Sequence, residues 1–174
     1  MTTNDENVLP SPSLADPSPS APPAAFKTWA TLRSWVLVIA WIACIASFSS
    51  DRFSANHTGS ILRWVLNHTI GQVNELMFAK IHFLVRKAAH LSVYCILGLL
   101  AFDAWKETLP ARSPWMFRWA LLALLTVAVT GSLDEWHQSY IPSRQGSPID
   151  AAIDTTGGLL GQMMIAGLAL RKRY

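Results

Sequence analysis

The sequence predicts an all-α fold: a polytopic membrane protein, a bundle of four transmembrane helices with an additional amphipathic helix between the first and second spans. Three observations predict it. Hydrophobic residues make up 51% of the 174-residue chain and charged residues 14%, against about 25% charged in an average soluble protein. The apolar residues are gathered into four long runs. Eight tryptophans are present, a residue type that favours the membrane–water interface. The length suits one domain. The formal net charge is +3, and the basic residues are scattered, so no nucleic-acid partner is expected. Cys44 and Cys95 both sit inside apolar runs. They read as small helix residues rather than as a disulfide or part of a metal site.

Residues 1–25, "MTTNDENVLPSPSLADPSPSAPPAA", have no apolar periodicity. Such a Pro/Ser/Ala-rich stretch cannot bury enough surface to offset ordering entropy, so a disordered cytoplasmic tail is expected. It lacks the basic start and adjoining apolar core of a secretory signal. Lys27 and Arg33, just ahead of the first apolar run, suit an uncleaved signal-anchor. That run is Trp35–Phe48, extended by Ser49 and Ser50, and is short against the roughly 17–25 residues a spanning helix needs. "DRFSANHTGS" follows as a loop. The next stretch, "ILRWVLNHTIGQVNELMFAKIHFLVRK", carries apolar residues at Ile61, Leu62, Val65, Leu66, Ile70, Val73, Leu76 and Met77. The spacing approximates a helix, but the stretch is too polar to span. An interfacial amphipathic helix is expected, with a helix packed on the bundle as the alternative. The remaining spans are Ala88–Trp105, interrupted by His90 and Asp103, then Met116–Leu133, then Ile149–Leu170 with Asp150 and Asp154 near its start. Helices are expected throughout because lipid offers no water to unpaired backbone groups.

The terminal Arg171, Lys172 and Arg173, directly after the last span, favour a cytoplasmic C-terminus. Four spans then place the N-terminus inside too. Lys27, Arg33, Lys106, Arg112 and Arg118 fall on the inner side, and Arg52, Arg63, Lys80, Arg86, Lys87 and Arg144 on the outer side. This bias is slight.

On that topology the loops 51–87 and 134–149 share the outer face, which brings two polar groups together. One is "RKAAH", Arg86 to His90. The other is "DEWHQSYIPSRQGSPIDAAID", Asp134 to Asp154. Lys87 and His90, His90 and Tyr94, Asp134 and Gln138, and Asp150 and Asp154 are each three or four residues apart, and so share a helix face. Asp154 lies about 9 Å along a helix that starts near Pro148, at about 1.5 Å per residue. A charged Asp facing lipid near the centre costs about 2.5–3.5 kcal/mol on insertion scales. It should therefore face the bundle interior with a partner, and Arg144, Lys87 and His90 are the candidates. An outer-facing polar pocket lined by Lys87, His90, Asp134, Glu135, Gln138, Arg144, Asp150 and Asp154 is expected. The competing account places these charges at helix ends: Asp150 at a positive N-terminus, Asp134 and Glu135 closing a span, Lys87 snorkelling to headgroups. Ser139–Pro148 is the expected loop.

Gly157 and Gly161 form a G-x-x-x-G pair, which lets helices approach closely. Packing within the bundle is favoured over dimerisation; the oligomeric state is not set by the sequence. His57, His68, His82 and His137 show no metal-ligand spacing, although His137 stands beside Asp134. No metal and no cofactor is expected.

Two stretches, "RKAAHLSVYCILG" and "DEWHQSYIPSRQGSPIDAAIDTTGGLLG", together with "SFSSDRF" after the first span, resemble the VanZ-like family of bacterial membrane proteins over about residues 34–170. The family pattern matches Lys87, His90, Tyr94, Leu97 and Gly98, then Asp134, Glu135, Gln138, Pro142, Arg144, Asp150, Asp154 and Gly157. Where the family often carries an acidic residue before the Tyr, this chain has Val93. A carboxylate pairing with Lys87 from that position is absent. The resemblance implies a bacterial plasma-membrane protein with a cell-envelope role, associated through the family with low-level resistance to the glycopeptide teicoplanin.

Three functions follow as expectations. In the first, the pocket binds a membrane-lipid headgroup, a cell-wall precursor or a glycopeptide without chemistry. Arg144 and Lys87 hold its phosphate or carboxylate, Arg144 through paired hydrogen bonds. In the second, a membrane-embedded hydrolase or transferase acts on a lipid-linked phosphate or ester. His90 is then the acid–base group, Asp134 or Asp154 its orienter and Arg144 a stabiliser of developing charge. In the third, His90 and Asp154 serve a proton or ion pathway.

Overall fold

A computed structural model describes residues 24–50, 55–109, 117–142 and 146–171. Five helices make up the described residues: α1 (Ala24–Phe48), α2 (Ala55–Thr69), α3 (Glu75–Thr108), α4 (Phe117–Gln138) and α5 (Pro148–Arg171), with no strand among them. Helices α1, α3, α4 and α5 are long and apolar enough to cross a membrane. The expected disordered tail, residues 1–25, lies outside the described residues except for Ala24 and Ala25, which open α1.

The stretch between the first and second spans differs from the sequence expectation. It is divided between two helices, α2 and the first turns of α3. Ile70 and Gly71 both donate their backbone N–H groups to the Leu66 carbonyl, and Gly71 takes a φ of 97°, the left-handed conformation that ends helices and favours glycine. Asn74 then caps α3, its side chain accepting from the Met77 N–H at 2.8 Å, as N-cap asparagines do. Arg63 of α2 reaches over this break to Glu75 with two 2.6 Å hydrogen bonds and lies 4.0 Å from the Phe78 ring centroid. Leu76 and Met77 therefore belong to the same 34-residue helix as the expected span Ala88–Trp105. At about 1.5 Å per residue that helix is about 51 Å long, well beyond a hydrocarbon core of about 30 Å.

Helix α3 is the spine of the bundle, packed by α1, α4 and α5. Ser34 of α1 meets Asp103 while Trp41 donates to the Val93 carbonyl, so α1 runs antiparallel to α3. Tyr94 meets Asp134 and Trp105 meets Thr126, so α4 is antiparallel too. His90 meets Asp154 and Gln162 donates to the Gly98 carbonyl, so α5 runs parallel to α3. The start of α1 and the end of α5 thus share one end of the bundle. The end of α4 and the start of α5 share the other.

Two buried clusters fill the contacts. Val38, Ile45, Tyr94, Leu97, Ala104 and Val127 join α1, α3 and α4. Ala101, Phe102, Trp119, Ala120 and Ala123 join α3 and α4, with Ile165 of α5 packed against them. The outward faces stay apolar, with Ile39, Leu125, Met163 and Leu168 all exposed. A soluble bundle would place polar groups there; a lipid-facing one does not. Between α3 and α5 the backbones touch. A β-carbon at Gly157 would stand 2.5 Å from the Leu91 carbonyl oxygen, and one at Gly161 2.8 Å from that of Cys95. The G-x-x-x-G pair packs α5 inside the bundle. Cys44 and Cys95 are free and partly buried.

Candidate functional site

The polar residues collect where α3, α4 and α5 meet near the α4–α5 connection. Their order follows from helix geometry. Lys87, His90 and Tyr94 occupy one face of α3. Asp150 and Asp154, one turn apart on the parallel helix α5, meet the first two in register, and Asp134 on the antiparallel helix α4 meets the third. Lys87 Nζ is ion-paired with Asp150, both about three-quarters buried. His90 Nδ1 lies 3.0 Å from Asp154 Oδ1, and Asp154 is fully buried. Tyr94 donates its hydroxyl to Asp134 Oδ2 at 3.2 Å.

Glu135 and Gln138 complete the group. Gln138 donates at 2.9 Å to Asp134 Oδ2 and at 3.3 Å to Ser49 Oγ, tying α4 to the end of α1. Glu135 Oε2 accepts the Ser147 N–H at 2.9 Å, which fixes the chain just ahead of α5. Asp134, Glu135 and Gln138 are all buried. Helix α4 runs on to Gln138 and α5 starts at Pro148, so Asp134 and Glu135 are helical residues at the last turn of α4, as the helix-end account has them, but they are buried against the bundle. Asp150 does occupy the first turn of α5, where a carboxylate favours the helix dipole, and it also neutralises Lys87.

Seven of the eight residues singled out from sequence converge here. The eighth, Arg144, lies outside the described residues. The buried Asp154 has His90 as its partner, not Lys87. His137, which stands next to this group in sequence, is exposed, whereas Asp134 is buried.

Beside the polar group lies a cavity of about 380 Å³ between α1, α2 and α3. Its apolar wall includes Ile45, Phe48, Leu62, Val85, Ala89 and Val93, and its polar lining includes His82, Arg86, His90, Tyr94 and Asp134. His82, Arg86, His90 and Tyr94 recur every four residues along α3, one stripe of a helix. From this stripe sequence reasoning assigned His90 to the pocket, placed Arg86 in the same polar stretch without a role, and passed over Ser49 and Thr58, which also line the cavity. The four-residue recurrence along α3 is the signal that finds Arg86; Ser49 and Thr58 come from the end of α1 and from α2, where no such signal exists. The recurrence is obscured because Arg86 adjoins Lys87, which faces α5 instead. Arg86 is half-buried and has no ion-pair partner among the described residues.

Chemically, the site offers an imidazole held by a buried carboxylate, a guanidinium without an ion-pair partner among the described residues, and an apolar space next to both. The model of the family described as VanZ/LLP1 matches residues 34–170. Comparison with curated proteins and with solved structures finds no match.

Proposed function

The chain belongs to the VanZ/LLP1 family, and from that premise we propose that it is a bacterial plasma-membrane protein, with both termini cytoplasmic, that binds an anionic amphiphile in the α1–α2–α3 cavity. The role is non-enzymatic and belongs to the cell envelope. The occupant is a lipid carrying a phosphate headgroup, the chemistry shared by membrane phospholipids and lipid-linked cell-wall precursors. One observation carries this reading: a half-buried Arg86, outside every ion pair among the described residues, on the wall of a cavity whose other lining is largely apolar. Arginine binds phosphate through a planar fork of donors, and a chain beside it suits Ile45, Phe48, Leu62 and Val93. Helix α2 lies at the membrane surface in this reading. Its exposed Ile61, Trp64 and Val65 are the type of face an interfacial helix buries among headgroups.

The test uses purified full-length protein in nanodiscs, with a polyprenyl phosphate and a phosphatidic acid as probes and phosphatidylcholine as the neutral comparison. Arg86→Ala should weaken binding of both phosphates by about 1.5–3 kcal/mol, the range of a hydrogen bond to a charged group. Arg86→Lys should retain part of it. Equal affinity of wild type and Arg86→Ala for both phosphates would contradict the reading.

Hydrolysis or transfer at a lipid-linked phosphate or ester is the second reading, and a different observation favours it. His90 lines the cavity and is oriented by Asp154 at 3.0 Å, the pairing that general acid–base catalysis uses. Turnover of a labelled polyprenyl phosphate ester that is lost in His90→Ala would favour chemistry; absence of turnover leaves binding as the function.

A further inference from the structure

Three buried carboxylates and one imidazole lie close together where α3, α4 and α5 meet. Asp154 is 0% exposed, Glu135 5% and Asp134 8%. Buried charges in a low-dielectric interior must be neutralised or paired. Asp134 has two donors, Tyr94 and Gln138. Lys87 does not help the others, because Asp150 already takes it. That leaves Glu135 and Asp154, each held by one oxygen only. Glu135 Oε2 accepts from Ser147 and Asp154 Oδ1 from His90. Glu135 Oε1 and Asp154 Oδ2 are buried with no hydrogen-bond partner among the described residues.

We propose that His90, Glu135 and Asp154 form a binding site for a divalent metal ion. One donor atom from each lies within 4.8 Å of the other two, near enough for small side-chain adjustments to bring all three onto a single ion with bonds of about 2.0–2.2 Å. The donors come from α3, α4 and α5, which is why no ligand spacing is visible along the chain and why none was expected there. Two carboxylates and a neutral imidazole leave a charge that one divalent cation cancels. Glu135 is anchored through one oxygen by the Ser147 N–H and keeps the other free, as a ligating carboxylate is when an outer-shell hydrogen bond orients it, and Asp154 already lies beside the His90 ring with its second oxygen free. The donor set is one nitrogen and two oxygens, with no sulfur. It fits zinc or manganese rather than a soft ion, and the imidazole disfavours magnesium and calcium. Ring nitrogen, Glu135 and Asp154 bind in their deprotonated forms, so uptake releases any proton shared between His90 and Asp154. Three protein ligands also leave a coordination position for water or a ligand oxygen, and His90 belongs both to this site and to the cavity wall.

The test uses the full-length chain carrying no polyhistidine tag, stripped with a chelator in nanodiscs and then titrated with zinc or manganese chloride. Elemental analysis after dialysis should find a single ion per chain. Glu135→Gln and Asp154→Asn should each weaken uptake by at least the roughly 10–100-fold that loss of an outer-shell partner costs. Asp103→Asn, at the opposite end of α3, should not change it. Should the variants misfold, the wild type alone still decides. Its manganese form should show coupling to one imidazole nitrogen in pulsed electron paramagnetic resonance. A wild type that retains no ion, variants that bind as well as wild type, or a manganese spectrum without nitrogen coupling would each overturn the proposal. If the wild type retains no ion yet still shows Arg86-dependent phosphate binding, the metal site falls while the lipid reading stands.

Discussion

Tyr94 shows how closely single residues are specified in this bundle. It is 1% exposed, its ring packs with Leu97 and Val127, and its hydroxyl donates to Asp134. Removing the hydroxyl alone leaves Asp134 with the Gln138 amide as its one side-chain donor among the described residues. Tyr94→Phe should therefore lower stability by about 1–3 kcal/mol, the cost of leaving a buried acceptor short of a partner, with little change in packing. Thermal unfolding in nanodiscs measures it; an unchanged transition would mean that the bond contributes nothing. The pairing was only partly legible. Helical spacing put Lys87, His90 and Tyr94 on one face, and the cost of an unpaired charge in lipid required a partner for Asp154. Which carboxylate met which donor depended on helix direction and register, and these are set by contacts across the bundle that spacing along one helix does not encode.

At the scale of elements, α5 is placed by what its glycines lack. Gly157 and Gly161 let its backbone lie against that of α3, with carbonyl oxygens where β-carbons would otherwise be. This approach brings Asp150 and Asp154 within reach of Lys87 and His90. Further along the same helix, a β-carbon at Gly167 would meet nothing within 4 Å. Gly157→Ala should destabilise by about 1–3 kcal/mol, the usual cost of overpacking. Gly167→Ala should be neutral or stabilise by up to about 1 kcal/mol through helix propensity alone. Unfolding of the two variants side by side checks the contrast, and equal effects would remove the close-packing argument. The four spans were legible as apolar runs, and the α4–α5 loop boundaries as a change in composition. The α2–α3 break was not. Its signals, Gly71 and Asn74, sit inside a stretch whose apolar residues keep roughly helical spacing on both sides. Periodicity outweighed the two residues that end one helix and cap the next.

For the whole molecule, four helices long and apolar enough to span a membrane, with α3 at the centre, leave a cavity between α1, α2 and α3 at one end, beside the buried polar group. The family assignment agrees with the motifs, which follow the same residues: the Ser-rich end of α1 reaches Gln138, and the basic–His–Tyr stretch of α3 faces the acids of α4 and α5. The stretches that resemble the family are also those whose described residues make the contacts that build the polar group. The cavity itself could not be read from sequence, because its lining is drawn from four helices. The central claim is that a phosphate-bearing lipid occupies this space beside Arg86. Site-specific photo-crosslinking in native membranes tests it most directly, with a photoreactive residue at Val93, which lines the cavity, and another at Leu125, which is exposed on the outward face of α4. Adducts at position 93 should be enriched in phosphate-headgroup lipids relative to position 125, and the enrichment should disappear in Arg86→Ala. The same lipid composition at both positions, unchanged by Arg86→Ala, would contradict it.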